Sequence, residues 1–126
     1  MLELSPQKAV VLFAHGSRDP LWRTQIEAIA VRAQQLEPHT TVRCAYLELT
    51  EPDLPTCVAE LAAQGSTHVT VSPLFLGVGK HAREDLPALM TRLITQHPQI
   101  EFILQPAVGE DARLVQLIAQ IALSHA

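Results

Sequence analysis

Short continuous apolar runs alternate along the chain with longer segments that repeat apolar residues at helical spacing. Residues 9–14 (AVVLFA) are apolar throughout, which is typical of a strand covered on both faces of a parallel sheet. Segments 41–47, 68–72 and 100–104 are rich in β-branched, aromatic or aliphatic residues and predict three further strands. The pattern therefore predicts four strands.

Helices are predicted between these strands. Asp19 and Pro20 supply an N-cap and a first-turn proline for the first helix, and Pro38 ends it. The second helix is predicted to begin near residues 53–55 and to stop at Gly65. The inward face of the first helix is predicted to consist of Ile26, Ile29, Ala30, Ala33 and Leu36.

Two more helices follow the third and fourth strands. Because proline suits only the first turn of a helix, Pro87 favours a start of the third helix nearer Asp85 than Ala82. The last helix is predicted over residues 111–123. The inward face of the third helix is predicted to consist of Leu86, Leu89, Met90, Leu93 and Ile94.

This regular strand–helix alternation predicts an α/β fold. Short connections between parallel strands place helices on both faces of the sheet. We expect one domain over residues 1–126, built on a doubly wound four-stranded parallel sheet in the order 2-1-3-4. No linker or internal repeat interrupts the pattern.

Composition excludes several classes of function. A formal net charge of −4 and the lack of a Lys/Arg run argue against nucleic acid as a partner. The longest strictly apolar run is far below the roughly 20 residues that span a bilayer, so no membrane partner is expected. The N-terminal segment lacks the basic and apolar regions of a signal peptide, which favours a cytoplasmic location. Cys44 and Cys57 form no CxxC motif and are expected to be buried apolar residues.

The predicted topology brings distant polar residues to one edge of the sheet. Ligands of doubly wound folds bind beyond the carboxyl ends of the strands, where the strand order reverses. In the order 2-1-3-4 this point lies between the first strand, which leads into His15, and the third, whose loop leads to His81. The second strand ends near Glu48 on the same edge. We therefore expect His15, His81 and Glu48 to face one cleft.

Plainer interpretations remain open at this point. A histidine after a strand is often a hydrogen-bonded loop residue, and Glu48 suits a solvated or capping carboxylate. The Gly77–Gly79 segment is either a flexible turn or a backbone nest for anions, and it matches neither the P-loop nor the dinucleotide fingerprint. The remaining histidines are expected to be structural or exposed: His39, His68, His97 and His125.

Three segments together carry a resemblance to a known family. They are Leu12-Phe-Ala-His15-Gly-Ser-Arg-Asp19, Tyr46-Leu-Glu48 and Pro73-Leu-Phe-Leu-x-x-Gly79-x-His81-x-x-x-Asp85-Leu-Pro87. In this order and spacing they resemble the class II chelatases, specifically the small sirohydrochlorin chelatases, over about residues 8–120. One departure is Val78, where many relatives carry proline.

The resemblance implies a chelatase-like fold and insertion of Co²⁺ or Fe²⁺, in some members Ni²⁺, into a sirohydrochlorin-type tetrapyrrole of the cobalamin or sirohaem pathway. It places the metal-site histidines at His15 and His81 and the acidic residue at Glu48. The metal is then a substrate, and no permanently bound cofactor is expected. A single-lobe chain resembles the short form of the family, which is expected to act as a homodimer with sites at the subunit interface.

The residue types suit this chemistry. Imidazole binds Fe²⁺, Co²⁺ and Ni²⁺ well, and two histidines leave coordination positions open for transfer to the macrocycle. Either a histidine or Glu48 accepts the pyrrole protons as general base. Candidate binding groups for the substrate carboxylates are Arg18, Lys80, Arg83 and Gly79. Apolar contacts are expected from Leu74, Phe75, Leu76 and Val78, although the first two are equally suited to the core.

Three rival functions are weighed against a chelatase. The first is a non-catalytic carrier of metal or tetrapyrrole with the same fold. The second is a histidine phosphatase, which the Ala14-His15-Gly16 segment disfavours because that chemistry requires arginine at position 14. The third is a flavin-binding module, which lacks a convincing phosphate loop here. The sequence shows no clear exposed apolar stripe that would mark a dimer interface.

Overall fold

The computed structural model describes residues 5–124, so His125 lies outside the described residues. The strands are β1 (Lys8–Ala14), β2 (Thr41–Tyr46), β3 (His68–Pro73) and β4 (Glu101–Leu104). The helices are α1 (Thr24–Leu36), α2 (Leu54–Ala63), α3 (Lys80–Gln96) and α4 (Ala112–Leu123), with a 3₁₀ turn at Val108–Glu110. All strand pairs are parallel and the order is β2-β1-β3-β4, which confirms the predicted fold.

The main core lies between one face of the sheet and helices α2 and α3. Odd-numbered residues of β1 point to this face and pack with buried residues of both helices. Leu54, Val58 and Leu61 of α2 are buried, and Met90 and Leu93 of α3 are buried as predicted. The central strand residues of this core are Ala9, Val11, Phe13, Ala45, Val69 and Val71.

Helix α1 packs on the opposite face of β1 and β2, and its start differs from the prediction. Asp19 Oδ1 accepts the backbone N–H of Leu21 at 2.9 Å, which closes a separate turn, and regular helix begins only at Thr24. The Asp19 side chain accepts the N–H two residues ahead, as in an Asx turn, and so does not cap the helix. The prediction of Ile29 and Leu36 as inward residues is also wrong, because they are 47% and 63% exposed.

Helix α3 begins earlier than predicted, at Lys80, and contains Pro87 in its interior. Proline cannot donate a hydrogen bond to the carbonyl four residues before it, here that of Arg83. Both residues are exposed, so water can satisfy that carbonyl. Ile94, predicted to point inward, is 52% exposed. The early start places His81 in the first turn of the helix.

Helix α4 departs most from the expected packing. It contacts mainly the 3₁₀ turn before it, and none of its residues is buried. That turn is anchored to the loop after β3: Gly109 donates its N–H to the Phe75 carbonyl at 3.0 Å. A Cβ at Gly109 would lie 1.8 Å from the Leu76 carbonyl oxygen, so only glycine fits. Within residues 5–124, no helix combines the length and apolar composition that crossing a bilayer requires.

Candidate metal and tetrapyrrole site

His15 and Glu48 meet at the carboxyl edge of the sheet. Parallel pairing sets Ala14 opposite Tyr46, so the loops that follow β1 and β2 leave the sheet side by side. His15 Nε2 lies 3.0 Å from Glu48 Oε1, and both side chains are more than half exposed. The structure thus brings together two residues that lie 33 positions apart in the sequence, at the edge where the topology predicts a ligand.

Backbone hydrogen bonds lock these two loops together. Leu47 N–H donates to the Ala14 carbonyl at 2.9 Å, and Glu48 N–H donates to the His15 carbonyl at 3.0 Å. The parallel ladder therefore continues past the end of both strands. Gly16 has φ +104°, and a Cβ there would lie 1.7 Å from the Glu48 carbonyl oxygen. Glycine is required at this position by both the close approach and the backbone conformation.

The side chain of Thr50 also joins the two loops, which the sequence analysis did not predict. Its Oγ1 accepts the Ser17 N–H at 3.0 Å and donates to the Ser17 carbonyl at 2.8 Å. These bonds join Ser17, two positions after His15, to Thr50, two positions after Glu48. A threonine in a polar loop carries no sequence signal for this role, because the contact exists only once the two loops are adjacent.

His81 lies apart from this pair. It is exposed in the first turn of α3, whose N-cap is Gly79. In the described part of the chain it forms no ion pair, and no group of three or more His, Cys, Asp or Glu residues could hold a metal ion. The structure therefore unites His15 with Glu48, whereas the role of His81 as second metal ligand stays a prediction.

The three predicted cationic residues are available to a ligand. Arg18, Lys80 and Arg83 are exposed, and none takes part in an ion pair among residues 5–124. Lys80 and Arg83 stand in the first turn of α3, where the free backbone N–H groups also favour negative charge. These groups suit the carboxylates of an anionic ligand.

Exposed leucines surround the polar pair. Leu21, Leu49 and Leu76 are 78%, 54% and 69% exposed, and each lies on a different loop at the carboxyl edge. Leu49 has φ +65°, a conformation that non-glycine residues adopt at an energetic cost. The sequence singled out Leu76 alone. Three loops therefore offer apolar contact around a histidine and a carboxylate.

Phe75, a predicted apolar contact, belongs to the core. It is 8% exposed, and its ring meets Phe13 edge to face with centroids 5.9 Å apart. Leu74 and Val78 are half-buried. Phe75 thus packs beneath the loop that leads to His81, and it offers no exposed surface to a ligand.

A groove of about 480 Å³ opens between the start of α2 and α3. Its walls are mainly apolar, with Asp53, Asp85 and Arg92 as charged groups. Burial raises the pKa of Tyr46, on the groove wall, to about 12, so its hydroxyl stays neutral. The volume is within the range of small-molecule sites.

The other described histidines lie away from this edge. His68 opens β3 at the opposite end of the sheet, where Nε2 lies 3.1 Å from Glu101 Oε2 and Nδ1 lies 2.8 Å from Thr67 Oγ1. His39 and His97 occupy connections that precede β2 and β4, at that same end. His68 is therefore a structural residue, as expected. Cys57 is buried and Cys44 half-buried, and burial raises the pKa of both thiols.

A doubly wound sheet with an exposed histidine–carboxylate pair at its switch point is the arrangement that the resemblance to chelatases implies. Comparison with known proteins agrees with that class. The CbiX family model matches residues 9–124, nearly the whole chain. This chain belongs to the CbiX family.

Individual relatives agree with this assignment. A sirohydrochlorin cobaltochelatase from Methanopyrus kandleri is 37% identical over 82 residues, which cover 65% of this chain and 57% of that protein. Other curated relatives are named sirohydrochlorin ferrochelatases. The chain spans about half the length of the curated relatives it matches first, between 43% and 59%.

Two solved structures share the fold. A CbiX protein from Marinobacter aquaeolei VT8 is 34% identical with a TM-score of 0.81, and the match covers 93% of this chain and 95% of that one. The sirohydrochlorin chelatase SirB from Bacillus subtilis subspecies spizizenii, in complex with cobalt, is 26% identical with a TM-score of 0.79. That match covers 95% of this chain and 51% of SirB.

Proposed function

We propose that this chain inserts a divalent metal ion, Co²⁺ or Fe²⁺ with Ni²⁺ as an alternative substrate, into a sirohydrochlorin-type tetrapyrrole. The observation that carries the proposal is the contact between His15 Nε2 and Glu48 Oε1 at the switch-point edge. Membership of the CbiX family and the names of its relatives support the choice of substrate.

The separation of the two side chains suits a shared metal ion. Two ligand atoms that each stand about 2.1 Å from one ion are roughly 3.0–3.4 Å apart at the angles of octahedral or tetrahedral coordination. His15 Nε2 and Glu48 Oε1 already lie 3.0 Å apart. The two atoms therefore need little movement to share an ion. We propose that His81 supplies a further ligand once the substrates are bound.

Metal insertion releases the two pyrrole protons of the macrocycle as the ion enters. We propose that Glu48, or a histidine freed from the metal, accepts these protons, since both groups stand where the ion is handed over. Arg18, Lys80 and Arg83 bind the substrate carboxylates with help from the backbone at Gly79. The exposed leucines of the three loops contact the macrocycle.

Two further points complete the proposal. We propose that the protein acts as a homodimer with its sites at the subunit interface, as the resemblance to short chelatases implies. A cytoplasmic location rests on the sequence prediction alone.

The decisive experiment is anaerobic turnover. Purified protein is mixed with sirohydrochlorin and Co²⁺, Fe²⁺ or Ni²⁺, and the visible absorption is followed against a reaction without protein. His15→Ala and His81→Ala are expected to abolish multiple turnovers. His39→Ala is the matched control, since this exposed histidine lies at the opposite end of the sheet.

Repeated turnover separates this function from the carrier alternative. Stoichiometric metal binding without turnover would favour the carrier. No response of the absorption to any metal would contradict the tetrapyrrole substrate.

A further inference from the structure

Leu49 stands in an unfavourable backbone conformation directly after Glu48. Its φ is +65°, and the Thr50 N–H donates to the Glu48 carbonyl at 2.8 Å, which makes Leu49 the centre of a three-residue γ-turn. A γ-turn with a positive φ at its centre is rare and strained, and a bulky side chain suits it poorly. Glycine or asparagine adopts this conformation at a lower cost.

The residues on both sides of Leu49 hold the turn in place. Before it, the Glu48 N–H donates to the His15 carbonyl at 3.0 Å, and after it, Thr50 Oγ1 bonds both backbone polar atoms of Ser17. The turn therefore cannot relax without breaking contacts between the two loops of the site. Strain of this kind persists where the surrounding structure fixes the residue, and it is concentrated at functional sites.

Packing within the chain does not account for a leucine at this position. Leu49 is 54% exposed and is not one of the core-packing residues within the described range 5–124, whereas Leu47, two positions earlier, packs against the core. An apolar group left in water and a strained turn both lower the free energy of unfolding. A residue that costs stability in two ways is typical of a position kept for activity.

The neighbours of Leu49 restrict what it can contact. Glu48 and Glu51 lie on the same loop and line one open cavity with it. Because these carboxylates repel the carboxylates of an anionic substrate, the group that meets Leu49 must be uncharged and apolar. The ring system of a tetrapyrrole has this character, and its carboxylates lie at the periphery, within reach of cationic residues on other loops.

We infer that Leu49 is a specificity-determining residue for the tetrapyrrole, which contacts the ring system beside the metal ion at Glu48 and is fixed there by the strained turn. The inference deepens the proposed function and rests on it. Two adjacent residues then have separate tasks, since Glu48 binds the ion and Leu49 selects the ring that receives it. Metal affinity and tetrapyrrole affinity are therefore expected to respond differently to substitution at position 49.

Asparagine substitutions at positions 49 and 36 form a matched pair. Leu36 is 63% exposed, but it is the last residue of α1 and lies at the opposite end of the sheet. Asparagine tolerates a positive φ and is a poorer helix former than leucine. Leu49→Asn is therefore expected to raise the midpoint of urea unfolding, and Leu36→Asn is expected to lower it. A lower midpoint for Leu49→Asn would show that the leucine serves the fold, and would overturn the inference.

Binding measurements then separate the ring from the metal. Metal-free sirohydrochlorin is titrated into each protein and followed by its visible absorption, and Co²⁺ is titrated separately by calorimetry. Loss of one large aliphatic contact is expected to weaken tetrapyrrole binding by Leu49→Asn about tenfold, with Co²⁺ affinity within about twofold of wild type. Leu49→Met keeps an apolar side chain of similar volume and should restore tetrapyrrole binding. Leu36→Asn should bind both ligands as the wild type does.

Three results of these measurements would overturn the inference. The first is unchanged tetrapyrrole binding by Leu49→Asn. The second is an equal loss of Co²⁺ and tetrapyrrole affinity, which would show that Leu49 acts through Glu48. The third is a change in the sedimentation coefficient of Leu49→Asn, which would place Leu49 against a second copy of the chain.

Turnover by the wild type tests the proposed function separately. Binding of sirohydrochlorin by the wild type without turnover would count against the proposed function alone, because the binding comparison at position 49 would still stand. Absence of any sirohydrochlorin binding by the wild type would overturn both.

Discussion

Thr50 holds Ser17 through both backbone polar atoms, accepting its N–H at 3.0 Å and donating to its carbonyl at 2.8 Å. The contact joins the loop of His15 to the loop of Glu48. The distance between the side chains of His15 and Glu48 thus depends on a hydroxyl group that touches neither of them.

Replacing Thr50 by valine keeps the shape of the side chain but removes both hydrogen bonds to Ser17, so the two loops are expected to be held less firmly. Each lost hydrogen bond costs about 0.5–1.5 kcal/mol, so we expect kcat/KM for the metal to fall roughly tenfold. Thr50→Ser keeps the hydroxyl and should restore both Co²⁺ affinity and kcat/KM. Titration with Co²⁺ and steady-state kinetics measure the two effects. An equal loss in the serine and valine variants would show that the methyl group matters instead.

Gly16→Ala is expected to destabilise the protein by more than about 2 kcal/mol. The added Cβ would meet the Glu48 carbonyl at 1.7 Å, and φ +104° is unfavourable for alanine. Gly77→Ala is the matched control, because nothing lies within 4 Å of a Cβ there. Urea unfolding of the three proteins measures the difference. Similar midpoints for the two variants would contradict the close approach.

The N-cap of α2 predicts a pH dependence of stability. Asp53 Oδ1 accepts the Thr56 N–H at 2.8 Å, and this hydrogen bonding lowers the pKa of Asp53 below 3.8. A carboxyl group with a lowered folded-state pKa stabilises the protein above the unfolded pKa, and this contribution is lost as the pH falls through the folded value. Asp53→Ala should therefore cost about 1 kcal/mol at pH 6 and less in acid, once the carboxyl group of the wild type is protonated.

Asp53→Asn separates the cap from its charge. Asparagine caps helices nearly as well as aspartate and does not titrate in this range. Its stability relative to Asp53→Ala should therefore stay constant between pH 6 and pH 3, as measured by thermal unfolding. A wild-type advantage that grows as the pH falls would contradict the assigned cause.

Lys80 and Arg83 are expected to affect substrate binding and not turnover. Replacing either by alanine should raise KM for the tetrapyrrole several-fold with little change in kcat. The effect should shrink in salt, because the Debye length is about 10 Å at 0.1 M. Arg32→Ala is the control, since Arg32 hydrogen-bonds Gln35 within α1 and does not lie on a loop of the site. A change in kcat without a change in KM would argue against carboxylate binding.

Much of the fold could be predicted from periodicity. The buried run of β1 and the helical repeats of α2 and α3 gave the strand order, and that order put His15 beside Glu48. The starts of α1 and α3 were predicted wrongly, because Asp19 closes its own turn and Pro87 is tolerated on an exposed face. Capping and proline preferences allow more than one start for each of these helices, and they do not show which start the tertiary structure selects.

The site was harder to predict than the fold. A histidine and a carboxylate at strand ends stand out in a sequence, whereas Thr50 and the exposed Leu21 and Leu49 do not. The apolar repeat of α4 was recognised as a helix, but periodicity shows only that a face must be covered and not by which chain. The exposure of these apolar side chains could not be predicted from the sequence, because it becomes visible only when the position of α4 in the fold is known.

The contact of Gly109 with the Leu76 carbonyl has an evolutionary consequence. No larger residue fits between the turn that starts α4 and the loop that leads to His81. A change in that loop must keep the Leu76 carbonyl in place, and a change in the turn must keep glycine at position 109. The loop after β3 and the turn that starts α4 are therefore expected to diversify together, as one heritable unit.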